Sequence, residues 1–249
     1  MVTGWPLQHI SNPTGGNYSG VVHIYHRTAP ETWNYVGPIV ASETNQGDTF
    51  GSSVAMDGTW MAIGAEKRER DGQPSNSEAG AVYLFERVGN SWIEQQRVTG
   101  SLLQDHDNYG WPITLSGTRL VIGASAYDAP SRTGRVYVFE YDGSSWTETQ
   151  TFTASDAGAG DGFGSSLSLR GDTLLVGAPG SGTGGAAYLY QYNGNLWQEG
   201  IIYTQASNSG ADQFGFEVLL LSDVALIGAP FTDPSPAQDV GSLYVMDLN

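Results

Sequence analysis

The chain has no cysteine, four histidines, few charges and no long apolar run, and each scarcity removes a class of chemistry. Without cysteine there are no disulfides and no thiolate metal sites. Only His9, His23, His26 and His106 can supply imidazole, which narrows the room for histidine catalysis. Positive charge is also scarce: ten Lys and Arg stand against 26 Asp and Glu, a formal net charge of −16. Such a chain repels nucleic-acid phosphates and anionic lipid surfaces, so neither is expected as a partner. No apolar stretch approaches the roughly 18 residues of a membrane-spanning helix, so membrane insertion is not expected. The opening residues, MVTGWPLQHI, lack the basic and apolar regions of a signal peptide. The sequences H-E-x-x-H, G-x-x-x-x-G-K-[ST] and G-x-S-x-G are absent, and the G-x-G-x-x-G at Gly180–Gly185 precedes a strand, not a helix.

What the chain does have is glycine, 34 residues of it, in a repeating frame. Aromatic-Gly pairs stand at Phe50-Gly51, Tyr109-Gly110, Phe163-Gly164 and Phe214-Gly215. In all four, a Gly-Ala pair begins 14 residues after the aromatic, at Gly64, Gly123, Gly177 and Gly228. An Asp stands two places before each aromatic: Asp48, Asp107, Asp161 and Asp212. A later glycine leads into Tyr83, Tyr137, Tyr188 and Tyr244, and nine residues beyond the first three tyrosines stands Trp92, Trp146 or Trp197. Loop lengths vary while these offsets hold, which is the mark of one supersecondary unit used repeatedly.

Each unit reads as four strands, A to D. Strand A follows the aromatic-Gly pair. Strand B is a continuous apolar run such as RLVIGA. Strand C alternates aromatics, as in VYLFE, and strand D begins at the Trp and turns polar. Tight Gly, Asp or Asn turns join A to B and C to D. A meander of ~50 residues cannot bury both its faces alone, and stacking copies around an axis solves this.

The pattern D-x-F-G-x-S-V…I-G-A-P…G-x-V-Y-x-F resembles the FG-GAP repeat of integrin α subunits and of bacterial extracellular proteins. Asp48 to Phe85 and Asp161 to Tyr190 match it most closely. The resemblance implies an all-β fold: a β-propeller of four-stranded antiparallel blades. The A–B turns read MDGTW, LSGTR, LRGDT and LLSDV. None carries the several carboxylates of the calcium loop that integrin-type repeats hold there.

The expected organisation is one domain over residues 1–249. Its units span about 20–43 (partial), 48–103, 107–156, 161–207 and 212–249. The first would supply only C and D strands, beginning with GVVHIYHR and Trp33. The last stops after strand C. Residues 3–10, with Trp5 in the strand-D position, are expected to complete it, so that an N-terminal strand closes a ring of about five blades, one incomplete.

The long B–C loops and the Asp-bearing D–A segments share one end of such sheets, where binding groups gather on rigid scaffolds. Asp105 with Asp107, and Asp156 with Asp161, are the carboxylate pairs expected to take a metal; calcium is the one cofactor the sequence suggests. The competing reading of the repeated Asp is an Asx turn that caps backbone N–H groups. Aromatics outside the repeat, Trp111, Tyr127 and Phe231, are the expected ligand platform. Trp111 replaces a serine found at the same place in two units. Arg170-Gly171-Asp172 is explained by its turn alone, and Asn17-Tyr18-Ser19 is a glycosylation sequon. The expectation is an extracellular or cell-surface adhesion module that binds a protein or glycan and is not an enzyme. A carbohydrate-active enzyme with carboxylates at the channel mouth, or a propeller without ligand, are the alternatives.

Overall fold

The computed structural model describes residues 2–5, 19–72, 77–126, 131–205, 212–232 and 240–248, with side chains from residue 19 onward. No helix occurs among these residues. The strands form five antiparallel sheets. Sheet 1 holds β1 (Val2–Trp5), β2 (Val21–Ala29) and β3 (Thr32–Ile39). Sheet 2 holds β4 (Val54–Asp57), β5 (Trp60–Ala65), β6 (Ala81–Val88) and β7 (Ser91–Val98). Sheet 3 holds β8 (Ile113–Ser116), β9 (Arg119–Ala124), β10 (Arg135–Tyr141) and β11 (Trp146–Phe152). Sheet 4 holds β12 (Ser166–Arg170), β13 (Thr173–Ala178), β14 (Ala186–Tyr192) and β15 (Trp197–Thr204). Sheet 5 holds β16 (Val218–Leu220), β17 (Val224–Ala229) and β18 (Ser242–Asp247). The strand assignments A to D hold for the three complete sheets.

The amino terminus departs from expectation. Strand β1 does not complete sheet 5. It pairs with β2 in sheet 1, Gly4 opposite Val22. That register repeats the pairing of Gly64 with Val82 in sheet 2, so β1 is a B strand. The reason lies in β2: Val21 and Val22 are fully buried, and an unpaired edge there would strand their backbone groups. Sheet 1 is therefore B-C-D, and β18 is an edge among the described residues. Residues 6–10 of the expected closing segment lie outside the described residues.

Consecutive sheets pack face to face. Strand β4 contacts β8, β8 contacts β12, and β12 contacts β16. The joints share one pattern, with Met246 in place of the second aromatic at the last: aliphatics from the C strand of one sheet meet aromatics from the C strand of the next. Val22 and Ile24 meet Tyr83 and Phe85. Val82 and Leu84 meet Tyr137 and Phe139. Val136 and Val138 meet Tyr188 and Tyr190. Ala187 and Leu189 meet Tyr244 and Met246. The ring of each aromatic-Gly pair packs edge-on against the first tyrosine of its C strand, as Phe50 does on Tyr83 and Tyr109 on Tyr137. Burying each such ring contributes on the order of 2–3 kcal/mol.

The glycine of the B strand allows the close approach. A Cβ on Gly64, Gly123 or Gly177 would overlap the carbonyl oxygen of Gly110, Gly164 or Gly215 in the following unit. Backbone also bridges the units: Phe50 N–H donates to Ser19 O at 3.0 Å, Tyr109 N–H to Ala79 O at 3.0 Å and Phe214 N–H to Gly184 O at 2.8 Å. In sheets 1 to 4 the C–D register slips by a bulge, between Ile24 and Tyr25 and at the matching places in β6, β10 and β14, and sheet 1 slips a second time between Arg27 and Ala29.

Candidate functional site

One end of the sheets carries the B–C loops and the D–A segments, and the repeated Asp residues lie there in the turns entering strand A. Asp48 accepts the N–H of Asn45 at 2.7 Å, Asp107 that of Gln104 at 2.7 Å and Asp161 that of Gly158 at 2.6 Å. Asp212 accepts from the side-chain amide of Gln205 at 2.9 Å. All four are buried. Each of the first three closes a turn three residues back, so the Asx reading accounts for their position.

Two of these carboxylates also meet arginines. Arg68 Nε lies 3.5 Å from Asp48, and Arg132 Nη1 lies 2.6 Å from Asp107. Desolvation still dominates at Asp48 and pushes its pKa up to about 6, against the lowering effects of the Asn45 N–H and of Arg68.

The four expected metal ligands are placed as follows. Asp105 pairs with Arg70 at 2.8 Å, while its backbone carbonyl accepts from Arg132 at 2.6 Å. Asp107 is held by Arg132. Asp156 accepts the hydroxyl of Tyr188 at 2.9 Å, and Asp161 closes its turn. Among the described residues no group of three or more His, Asp or Glu side chains is placed to hold a metal ion. The chain's scarce cations gather at this end: Lys67, Arg68, Arg70, Arg97, Arg132 and Arg135 are six of its ten. Two cavities open among them. One of about 290 Å³ is lined by Arg68, Arg70, Asp71, Arg97 and Ser101. Another of about 190 Å³ is lined by Asp107, Ser131, Arg132 and Arg135.

Of the three expected ligand aromatics, Trp111 is 56% exposed and Phe231 is also exposed. Tyr127 lies outside the described residues. Trp111 follows its aromatic-Gly pair directly, at the head of an inner strand. The same position holds Ser52, Ser165 and Phe216 in the other units, and Phe216 is 46% exposed. Two exposed rings thus stand at one repeat position, two units apart, with the serine of sheet 4 between them. Phe216 was legible in the sequence as the second non-serine at that position. A larger cavity of about 500 Å³ lies at the opposite end, between sheets 1 and 2, lined by Trp33, Trp92, Arg27 and Arg87.

These features define an all-β repeat protein whose sheets are joined by a shared aromatic-on-aliphatic rule and whose variable loops gather at one end. The FG-GAP repeat family matches the chain at residues 33–85, 92–139 and 146–190, more than half its length. The chain belongs to the FG-GAP repeat family. Each match begins at a strand-D Trp and ends in the next C strand, so the family unit reads D-A-B-C across two sheets. No curated protein matches the chain.

Proposed function

We propose that the protein is an extracellular or cell-surface binding module in which the five sheets are successive blades of a β-propeller. It recognises a protein or glycan through the end that carries the B–C loops. The observation that carries this reading is the exposure of Trp111 and Phe216 at one register position where two other units have serine. Large rings held on rigid inner strands cost little side-chain entropy on binding and offer flat apolar faces to a sugar ring or a peptide side chain. Arg70, Arg97 and Arg135 at the same end add donors for polar groups around such a platform.

A glycan array and a pull-down, each run with calcium and with chelator, test the reading. Captured ligand should be lost in Trp111→Ala and Phe216→Ala variants that keep the wild-type fold. Ligands retained by both variants, or no ligand in either assay, would refute it.

A further inference from the structure

The C–D turns of sheets 3 and 4 are built alike, and one residue sets them apart chemically. Tyr141-Asp142-Gly143-Ser144-Ser145-Trp146 joins β10 to β11, and Tyr192-Asn193-Gly194-Asn195-Leu196-Trp197 joins β14 to β15. Asp142 N–H donates to Ser145 O at 3.1 Å, and Asn193 N–H to Leu196 O at 3.1 Å. Asp142 Oδ1 accepts the N–H groups of Ser144 and Ser145 at 2.8 Å and 2.9 Å. Asn193 Oδ1 accepts those of Asn195 and Leu196 at 3.0 Å each. Gly143 and Gly194 share a left-handed conformation, with φ of 99° and 94°. An acid and an amide thus fill one place in one turn and make the same bonds there. The turn lies at the end of the sheets opposite the B–C loops, away from Trp111 and Phe216.

Asn193 is the one asparagine of the chain that precedes a glycine. We infer that it is a site of self-modification, where the side-chain amide is lost in the folded protein and the turn accepts the resulting aspartate. The backbone nitrogen of Gly194 attacks Cγ of Asn193 and closes a succinimide ring. The amide nitrogen leaves as ammonia and takes the Gly194 proton with it. Water then opens the ring at either carbonyl, leaving aspartate or its isomer linked through the β-carboxyl. The turn favours the attack in three ways. Gly194 N–H makes no hydrogen bond among the described residues, so nothing holds the proton that must leave. Glycine has no side chain to screen that nitrogen, and even a Cβ at Gly194 would meet nothing within 4 Å. The two N–H groups on Asn193 Oδ1 point at the oxygen where negative charge develops as the nitrogen adds, as the donors of an oxyanion hole do. Asn193 and Gly194 are both exposed, so water reaches the ring. Asp142 shows why the change ends there. The Ser144 hydroxyl and the N–H groups of Ser145 and Ser144 pull its carboxyl down to about 2. An ionised carboxylate is a poor electrophile, so Asp142-Gly143 keeps its form in the same turn, and an aspartate formed beside Gly194 resists a second attack.

The intact chain, held in mildly alkaline buffer at physiological temperature and sampled by anion-exchange chromatography and peptide mapping by mass spectrometry, tests this. A species with one extra negative charge should grow with time, elute with the Asn193→Asp variant and carry its amide-to-acid change at Asn193. The free peptide YNGNLW, kept in the same buffer, should convert on the same timescale. Asn193→Ser, which retains an oxygen for the turn, should abolish the acidic species. Asn193→Asp should match the wild-type midpoint in urea, because Asp142 makes the same turn. A folded chain that keeps its amide while the peptide loses it would overturn the inference, since the turn would then protect Asn193. So would an acidic species that maps only to other asparagines or survives undiminished in Asn193→Ser. An Asn193→Asp variant with a clearly lower midpoint would equally overturn it, since the turn would then reject the product.

Discussion

Glu94 on β7 grips Ser42 of the preceding unit with both carboxylate oxygens, taking the backbone N–H at 2.7 Å and the hydroxyl at 2.7 Å. The contact recurs one unit on, where Glu148 holds Ser101 at 2.8 Å and 2.6 Å, and again between Glu199 and Ser155. A neighbouring pair of bonds repeats beside it: Gln96 binds the N–H and carbonyl of Trp146 at 2.8 Å each, and Gln150 those of Trp197. The outer strands are thus stitched by polar groups while the C strands are joined by apolar ones. Removing one stitch by Glu148→Ala should lower stability by about 1 kcal/mol, because two hydrogen bonds to a charged but partly solvated acceptor are lost. Urea unfolding of the variant against wild type measures it. An unchanged midpoint would show these contacts to be passive.

Glycine at the B-strand position should matter where a neighbour arrives and not where none does. In Gly123→Ala the new methyl would overlap the backbone carbonyl of Gly164, which cannot rotate away as a side chain could. The cost should reach about 3 kcal/mol, at the upper end of the usual overpacking range. Gly228→Ala meets nothing nearer than 3.6 Å and should change the stability of the monomer by less than about 0.5 kcal/mol. The pair is informative as a contrast in denaturant midpoints. Equal losses would mean that the close approach is not the cause.

The chemistry of these joints was readable in the sequence because the spacing from aromatic to glycine never varies. Every residue in that frame shares one strand or one tight turn, and backbone geometry keeps the count. The Ser–Glu stitches were not readable. Their partners lie 52, 47 and 44 residues apart across loops of changing length, so no constant offset marks them. Strand β1 was misread for a different reason. Gly4 stands 16 residues before Gly20, as Gly64 stands before Gly80, and Gly4-Trp5-Pro6 takes the place of Gly177-Ala178-Pro179. The tryptophan invited comparison with strand D, although the glycine and proline beside it belong to strand B. The arginines beside Asp48, Asp105 and Asp107 come from B–C loops whose lengths differ. Their pairing with these carboxylates depended on the fold.

Asp48 should make stability depend on pH in the less common direction for a carboxylate. Its pKa rises from the ordinary 3.8 to about 6 on folding, chiefly through desolvation. Between those values the folded chain holds a proton that the unfolded chain releases, so stability falls as pH climbs through this window. The contribution is fully present below about pH 4 and is lost above about pH 6. Asp48→Asn keeps an oxygen for the Asn45 N–H and removes the titration. The stability of wild type minus that of the variant should therefore decline by of order 2 kcal/mol across the window. A flat difference, or one that grows with pH, would refute the assignment.

Arg132 should be needed for folding more than its exposure suggests. Asp107 is buried, and Arg132 Nη1 bridges it to the carbonyl of Asp105 at 2.6 Å each. Arg132→Ala leaves a buried carboxylate with the Gln104 N–H as its one remaining partner among the described residues, at a cost of about 2 kcal/mol. Asp107→Asn with Arg132→Ala should recover part of the loss, since an amide needs no counter-ion. A double-mutant cycle in urea decides the matter. Fully additive losses would mean that the two groups do not act as a pair.

Trp111 and Phe216 should separate binding from stability. Both rings are about half exposed, so truncation removes only part of the apolar surface a core ring buries, and Trp111→Ala or Phe216→Ala should lower the unfolding free energy by about 1–2 kcal/mol, less than the loss of a core aromatic. If the rings form a platform, each truncation should also weaken ligand capture about tenfold, the loss expected when one aromatic stacking contact of roughly 1.4 kcal/mol disappears. Ser52→Ala and Ser165→Ala, at the same position in the two units that carry serine, should leave capture unchanged and serve as controls. Thermal unfolding and ligand titration on the same four variants read both quantities. A Trp111 variant that melts early yet binds normally would move the ring from the binding surface into the packing of sheet 3.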